Sequence, residues 1–376
     1  MKKILGSVLS VIFVVCAFHM AAAGSESKII KIGVYLPISG STDTTGQAIY
    51  QGIKVAHKMR PWVLGKNVEI VLADTKSDTT ETTRVVNRLI KKNKVQALIG
   101  EASNANTIAG AAIADAAGVP MVSPTATSPI LIKARKYVFR VCFTDTFQGK
   151  AAAHFAYDTL KARKAAVMID IAQDYSIGLA TAFERTFMRQ GGKIVAHTYC
   201  QTMDEDFTLQ LSEVVAAKPD VLYLPNYYRE VALICKQLSR LGLNTTIIAA
   251  ENAQTKELLH IGGKDVEQVI FTNHFAKEAA TTQAAREYLS KYQTETGRDA
   301  GAYEVLGADA YFVILDAIAR AKSLGAPGIR RSLSNTRKFE GVSGIITIGS
   351  DGNAVRSLVF MQVKNGAFSY LATYTP

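Results

Sequence analysis

Six side chains suited to recognition stand at the ends of short apolar runs: Asn104, Thr125, Thr127, Tyr175, Tyr227 and Glu251. Asn104, with Thr107, lies where a strand-like run gives way to a helical one. The free backbone N–H groups of a helix start attract a carboxylate. Ser123-Pro124-Thr125-Ala126-Thr127-Ser128-Pro129 packs four hydroxyls around a rigid turn, which suits ligand contact and plain capping equally. Glu251 follows an apolar strand and is placed to pair with an ammonium group, although an isolated acid there more often caps a helix. Tyr175 and Tyr227 can cover a ligand, while tyrosines at such edges are also commonly structural.

Catalytic constellations are missing from the same sequence. There is no Gly-rich phosphate loop ending in Lys-Ser or Lys-Thr, no GxGxxG after a strand and no GxSxG elbow. His57, His154, His197, His260 and His274 are widely separated and none has a second ligand at metal spacing. His57, beside Lys58 on a helix, reads as solvated. Asp204-Glu205-Asp206 is the one carboxylate cluster and reads as the polar start of a helix rather than a calcium loop. No catalytic residue, metal or cofactor is expected, and an extracellular hydrolase is the weaker alternative to a binding protein.

The elements that position these groups alternate strand and helix. Ile29 to Leu36, Val68 to Ala73, Val95 to Ile99 and Val119 to Val122 are strand-like, with helical spacing over 46–59, from Thr79 to Ile90 and over 104–117. The rhythm restarts after Asp145, with a helix from Phe147 to Leu160 and strands at Ala165 to Ile169, Lys193 to Tyr199, Val221 to Leu224 and Thr246 to Ala249. Helices from Tyr175 to Arg189, Phe207 to Ala217 and Tyr228 to Leu241 lie between these strands. Ala302 to Ala321 is long and apolar enough to be a buried helix. Strands follow at Ile345 to Ile348 and Leu358 to Val363. This pattern predicts parallel sheets with helices on both faces. Ligands of such sheets bind beyond the carboxyl ends of the strands, where the six side chains fall.

Met1-Lys2-Lys3, the apolar run to Phe18 and Ala21-Ala22-Ala23 form a secretory signal pattern, with cleavage expected after Ala23. Loss of Lys2 and Lys3 takes two charges from the formal +11 and leaves +9. The basic residues are scattered among acids, and no nucleic-acid motif accompanies them. Solubility, or a loose preference for anionic membrane surfaces, is the expected consequence. Cys16 leaves with the signal, and Cys142, Cys200 and Cys235 sit in apolar runs as small buried hydrophobes, with one disulfide left open.

Ile32 to Gly40, Ala97-Leu98-Ile99-Gly100, Val119 to Thr127, Arg140, Asp174 to Gly178, Asp206-Phe207 and Lys218 to Val221 together resemble the periplasmic leucine/isoleucine/valine-binding proteins. These are the branched-chain amino-acid substrate-binding components of ABC transporters. The resemblance implies an α/β fold of two doubly wound parallel-sheet lobes, type I periplasmic binding protein-like, joined by a multi-segment hinge. It implies residues 24–144 plus 275–347 as lobe one and 145–274 plus 348–376 as lobe two. A monomer is expected that captures an amino acid in the periplasm by hinge closure and delivers it to a membrane permease. A binder or sensor of an amide, urea or small organic acid is the alternative. In the family's pattern Asn104 holds the place of the hydroxyl that meets the ligand carboxylate. Thr125 and Thr127 match a carbonyl and a hydroxyl, Tyr175 and Tyr227 the covering tyrosines, and Glu251 the acid that holds the amine. The chain departs from the pattern at Thr45, where relatives often carry an aromatic wall, and at Ser176, which replaces a glycine. Ser77 and Ser103 stand where some relatives place a disulfide.

Overall fold

The computed structural model describes residues 29–376. The expected signal segment 1–23, Cys16 included, lies outside the described residues. The chain runs β1 (Ile29–Leu36), α1 (Asp43–Met59), β2 (Trp62–Val63), β3 (Lys66–Asp74), α2 (Thr79–Lys91), β4 (Ala97–Gly100), α3 (Asn104–Ala116), β5 (Met121–Ser123) and β6 (Val138–Arg140). Their strands form one sheet, β2-β3-β1-β4-β5-β6, parallel except for the β2 hairpin.

A second series follows: α4 (Asp145–His154), β7 (Lys164–Asp170), α5 (Asp174–Arg189), β8 (Lys193–Cys200), α6 (Thr208–Ala217), β9 (Val221–Leu224), α7 (Tyr228–Arg240), β10 (Thr246–Ala249), α8 (Lys256–Gly262) and β11 (Ile270–Asn273). The chain then returns to the first lobe through α9 (Gln283–Thr296), α10 (Ala302–Ala321), α11 (Ala326–Ser334), β12 (Phe339–Gly341), β13 (Gly344–Ile348) and β14 (Ala354–Val355), the last three forming a small antiparallel sheet of their own packed on that lobe's core. Finally β15 (Leu358–Lys364) and β16 (Ala367–Tyr374) complete the second sheet, ordered β16-β15-β11-β10-β9-β7-β8. Its inner strands are parallel, and β15 and β16 are antiparallel additions.

The sequence rhythm and the fold agree because the central strands are apolar on both faces. β4, β9 and β11 are buried at every residue, which only a parallel sheet covered by helices on both sides satisfies. Side-chain oxygens of Asp78, Ser103, Thr144, Thr255 and Thr282 accept first-turn N–H groups and fix where helices begin. α10 is the axis of the first lobe, with most of its length buried from Glu304 to Ile318.

Several elements differ from the expectation. α4 ends at His154 and continues as a π turn, Phe155–Thr159, instead of running as one helix to Leu160. α9 was invisible because its buried stripe is only Ala285, Tyr288 and Tyr292 among polar residues. Residues 349–355 stay with the first lobe: β14 pairs with β13 in the small three-stranded sheet, and the Arg140 N–H donates to the Gly352 carbonyl at 3.2 Å. The chain re-enters the second sheet only at Leu358, so the expected boundary at 347/348 falls short by the length of the β13–β14 hairpin. His57 is half-buried rather than solvated, with Nε2 2.9 Å from the Val68 carbonyl and its ring edge-on to Tyr311. Among the described residues Cys142, Cys200 and Cys235 are buried and free.

α1 and α10 cross with almost no gap. A Cβ on Gly52 would lie 1.9 Å from the Glu304 carbonyl oxygen, and one on Gly307 would lie 2.4 Å from that of Ile49. Gly52→Ala is therefore expected to destabilise the protein by about 1–3 kcal/mol in urea denaturation, since neither helix backbone can retreat from a packed core. Gly328→Ala, whose new methyl meets nothing nearer than 3.7 Å, serves as the control and should be neutral or mildly stabilising.

Candidate ligand-binding site between the two sheets

The carboxyl ends of the strands in both sheets carry the polar loops, and the helices that follow fix their side chains. On the first sheet, Ser103 caps α3, accepting from the Asn106 N–H at 3.3 Å, and Asn104 is the first helical residue. The Asn104 amide oxygen accepts from the Ser128 N–H at 3.2 Å, which ties this helix start to the hydroxyl-rich turn. Among the described residues its amide nitrogen donates to no protein acceptor, which leaves it available beside the helix N-terminus. Glu101, wholly buried, underlies the loop and accepts from Thr75 Oγ1, Ser103 N, Ser103 Oγ and Asn106 Nδ2.

The turn itself is braced. Thr125 Oγ1 donates to the carbonyls of Glu101 and Ala102 at 3.1 and 3.0 Å, so its hydroxyl is structural and its own carbonyl is left open. Arg140, fully buried, donates to the carbonyls of Ala126 and Ser128 at 2.6 and 2.7 Å. Between these anchors the Thr127 hydroxyl is directed to Asp145, and the Thr127 carbonyl accepts from the Asp145 N–H at 3.1 Å.

On the second sheet, Glu251 follows β10. It does not cap α8, whose cap is Thr255. Its Oε2 accepts from Tyr175 Oη at 2.7 Å and from Gln148 Nε2. Gln148 also donates to Thr272 Oγ1 at 2.6 Å, so the carboxylate is held directly from α4 and α5 while β11 steadies the Gln148 amide. Tyr175 and Tyr227 stack with ring centroids 5.9 Å apart and planes 20° apart, forming one aromatic wall. Ser176 is buried and its Oγ accepts the Asp170 N–H at 3.0 Å, a bond that a glycine could not supply.

Thus Asn104, Thr125 and Thr127 are brought together on the first lobe, and Tyr175, Tyr227 and Glu251 on the second. Sequence reading missed Asp145, which reads as the plain start of α4. Burial and then the Glu251 charge push its carboxyl up to about 7, against the lowering effects of the Thr127 hydroxyl and of Arg140. Its Oδ1 is buried without a partner. Glu251 still reaches the cleft, yet protein atoms crowd it enough to raise its carboxyl, with the Tyr175 and Gln148 hydrogen bonds opposing. Tyr303, at the start of α10, was also missed. Burial and then the charges of Glu251 and Tyr227 push its phenol up to about 12. The signal available for Asp145 was its position, shortly after the hydroxyl turn and three residues before Gln148.

Two α/β lobes with backbone and hydroxyl donors on one and acids with aromatics on the other define a small-molecule capture protein. The periplasmic binding protein family profile matches residues 29–367, and the chain belongs to that family. It is a binding protein and not an enzyme, and the family is extracytoplasmic. The chain is 26% identical to Leu/Ile/Val-binding protein homolog 3 of Brucella melitensis over 86% of this chain and 88% of that one. Among solved structures it is similar to a leucine-binding protein of Thermotoga maritima, 42% identical with a TM-score of 0.84, covering 92% of this chain and 99% of that one. A branched-chain amino-acid transporter substrate-binding protein of Streptococcus pneumoniae, solved with isoleucine, is 28% identical with a TM-score of 0.81, covering 93% and 100%.

Asp145 gives a stability signature with a definite sign. Its carboxyl holds a proton more tightly in the folded chain, about 7 against an ordinary 3.8, so its contribution is fully present below about pH 4 and is lost as pH rises through 7. Asp145→Asn has no such loss. In thermal denaturation of the ligand-free protein, the variant should match the parent near pH 4 and exceed it by about 1–3 kcal/mol at pH 8. A constant offset at all pH values would show that Asp145 does not ionise within the fold.

Proposed function

We propose that the protein captures a zwitterionic α-amino acid between its lobes and hands it to the membrane permease of an ABC transporter. The observation that carries this reading is the opposition of charge across the cleft. Free N–H groups at the α3 N-terminus and the Asn104 amide suit a carboxylate. The Thr125 carbonyl, the Thr127 hydroxyl, Asp145 and Glu251 suit an ammonium group, all being acceptors. An anion alone would meet two acids, and a simple amine would leave the helix start unmatched.

Binding begins on the braced first lobe, through Asn104, Thr125 and Thr127. Lobe two then swings over, bringing Tyr175, Tyr227 and Glu251 against the ligand, and contacts to both lobes stabilise the closed state. Excluding water strengthens the Glu251–ammonium pair relative to the same pair at a surface. One chain supplies every contact, so the unit works as a monomer. The relatives' names, which record leucine, isoleucine and valine binding, support an amino acid. Thr45, small and polar where an aromatic wall is common, widens the class of side chains beyond the branched-chain set. A neutral amide or urea is the second reading, favoured by one observation: Asp145, if protonated, can donate a hydrogen bond to a carbonyl.

A thermal-shift screen of the purified protein against amino acids, amides and small organic acids tests the class, because a bound ligand raises the melting temperature by linkage. An α-amino acid should give the largest shift. Glu251→Gln should then weaken that amino acid by about 2–5 kcal/mol, the usual effect of breaking a buried charge pair. Equal affinity in the variant would refute the zwitterion reading.

A further inference from the structure

The lobes are joined at three places, Val141 to Thr144, His274 to Phe275 and Arg356 to Ser357, and one side chain touches all of them. Arg356 is 3% exposed. Its Nη1 donates to the Val141 carbonyl at 3.3 Å, in the first crossing. Its Nη2 donates to the His274 carbonyl at 2.6 Å, in the second, and to that of Ser343 at 3.2 Å. Nε donates to the carbonyl of Ser357, in the third. A buried guanidinium is expensive to desolvate unless its N–H groups are used, and here they are used on hinge carbonyls.

Two further contacts complete the assembly. The His274 ring stacks on Phe143 at 3.8 Å with planes 22° apart, joining the first two crossings through their side chains. Asp309, buried on α10, accepts from the Val342 N–H at 2.6 Å, the Ser343 N–H at 3.1 Å and Ser343 Oγ. It thereby fixes the turn whose Ser343 carbonyl Arg356 grips, and its negative charge balances the guanidinium. A Cβ on Gly341 would meet Asp309 Oδ1 at 2.7 Å, so the carboxylate is pressed against the β12–β13 turn.

We infer that Arg356 is the pin of the hinge, a positioning residue that holds the three interlobe crossings to one axis and so sets how far and in which direction the lobes swing. The fork of the guanidinium is what the role requires. Lysine offers one nitrogen and cannot reach carbonyls on three separate strands at once. Rotation about torsions near the pin leaves these bonds in place, whereas shear or twist between the lobes breaks them. Arg356 touches none of the residues proposed to meet the ligand, and its role does not depend on which ligand is captured.

The test uses the full ligand-free protein with fluorophores at Lys91 on the first lobe and Ser239 on the second, read by single-molecule energy transfer. Arg356→Lys should broaden the interlobe distance distribution about twofold while circular dichroism and hydrogen exchange within both sheets stay at parental values. Asp309→Asn, which keeps Arg356 but loosens the Ser343 turn, should broaden it to an intermediate degree. Arg140→Lys is the control: it too removes a buried guanidinium bound to carbonyls, but within the first lobe, and should lower stability without changing the distribution. A parental distribution in Arg356→Lys, or equal broadening in Arg140→Lys, would overturn the assignment. Because no ligand is added, failure here is distinct from failure of the amino-acid reading.

Discussion

Asp145 and Glu251 are each crowded by protein atoms, which opposes the ionised form of both, and the Glu251 charge further opposes ionisation of Asp145. Such a pair is unfavourable in a low-dielectric setting unless a cation or a proton joins it. The surrounding structure manages the repulsion rather than abolishing it. Glu251 receives the Tyr175 hydroxyl and the Gln148 amide, and Asp145 receives the Thr127 hydroxyl. Arg140, the nearest buried cation in the first lobe, spends its Nη groups on the carbonyls of Ala126 and Ser128 instead of on Asp145. On the proposed reading the missing charge is the ligand's ammonium, and the energy stored in the pair becomes selectivity for it.

That arrangement makes demands on the fold. Asp145 must stand at the lobe junction, which it does as the first residue of α4 after a crossing. Glu251 must come from the second sheet, at the carboxyl end of β10, and Tyr303 from the helix at the centre of the first lobe. No single lobe carries the full set, so the proposed site is complete only where the two lobes meet. Within the first lobe, α1 packs directly against α10 at Gly52 and Gly307.

Much of this was legible in the sequence because parallel sheets announce themselves. Apolar runs such as Val221 to Leu224 and Thr246 to Ala249 match β9 and β10 residue for residue, since strands buried on both faces contain little else. The six site candidates stand in loops at the carboxyl ends of strands, a placement the alternation of apolar runs already implied. What stayed hidden has physical causes. α9 buries alanine and tyrosines within a polar sequence, and β16 is an edge strand with few buried residues, so neither shows a strong period. Asp145 was hidden because an acid in the first turn of a helix is ordinary, and only its burial beside Glu251 distinguishes it. The course of residues 349–355 was hidden because β-hairpin pairing depends on a partner strand, and sequence does not say which sheet supplies it.

The two lobes divide the work unequally. Lobe one offers dipoles that are fixed in advance: a capped helix start, a turn held by Thr125 and Arg140, and a loop resting on Glu101 with that residue's hydrogen bonds satisfied. Lobe two offers charge and aromatic surface. A preorganised dipole binds with little reorganisation, so it suits the first encounter, when the cleft is wet and charges are screened. A carboxylate gains most when water is excluded, so it suits the closing step. The order of engagement therefore follows from the placement of the groups. On the proposed reading Glu251, standing on the second lobe, lets its attraction for an ammonium group favour the closed state over the open one.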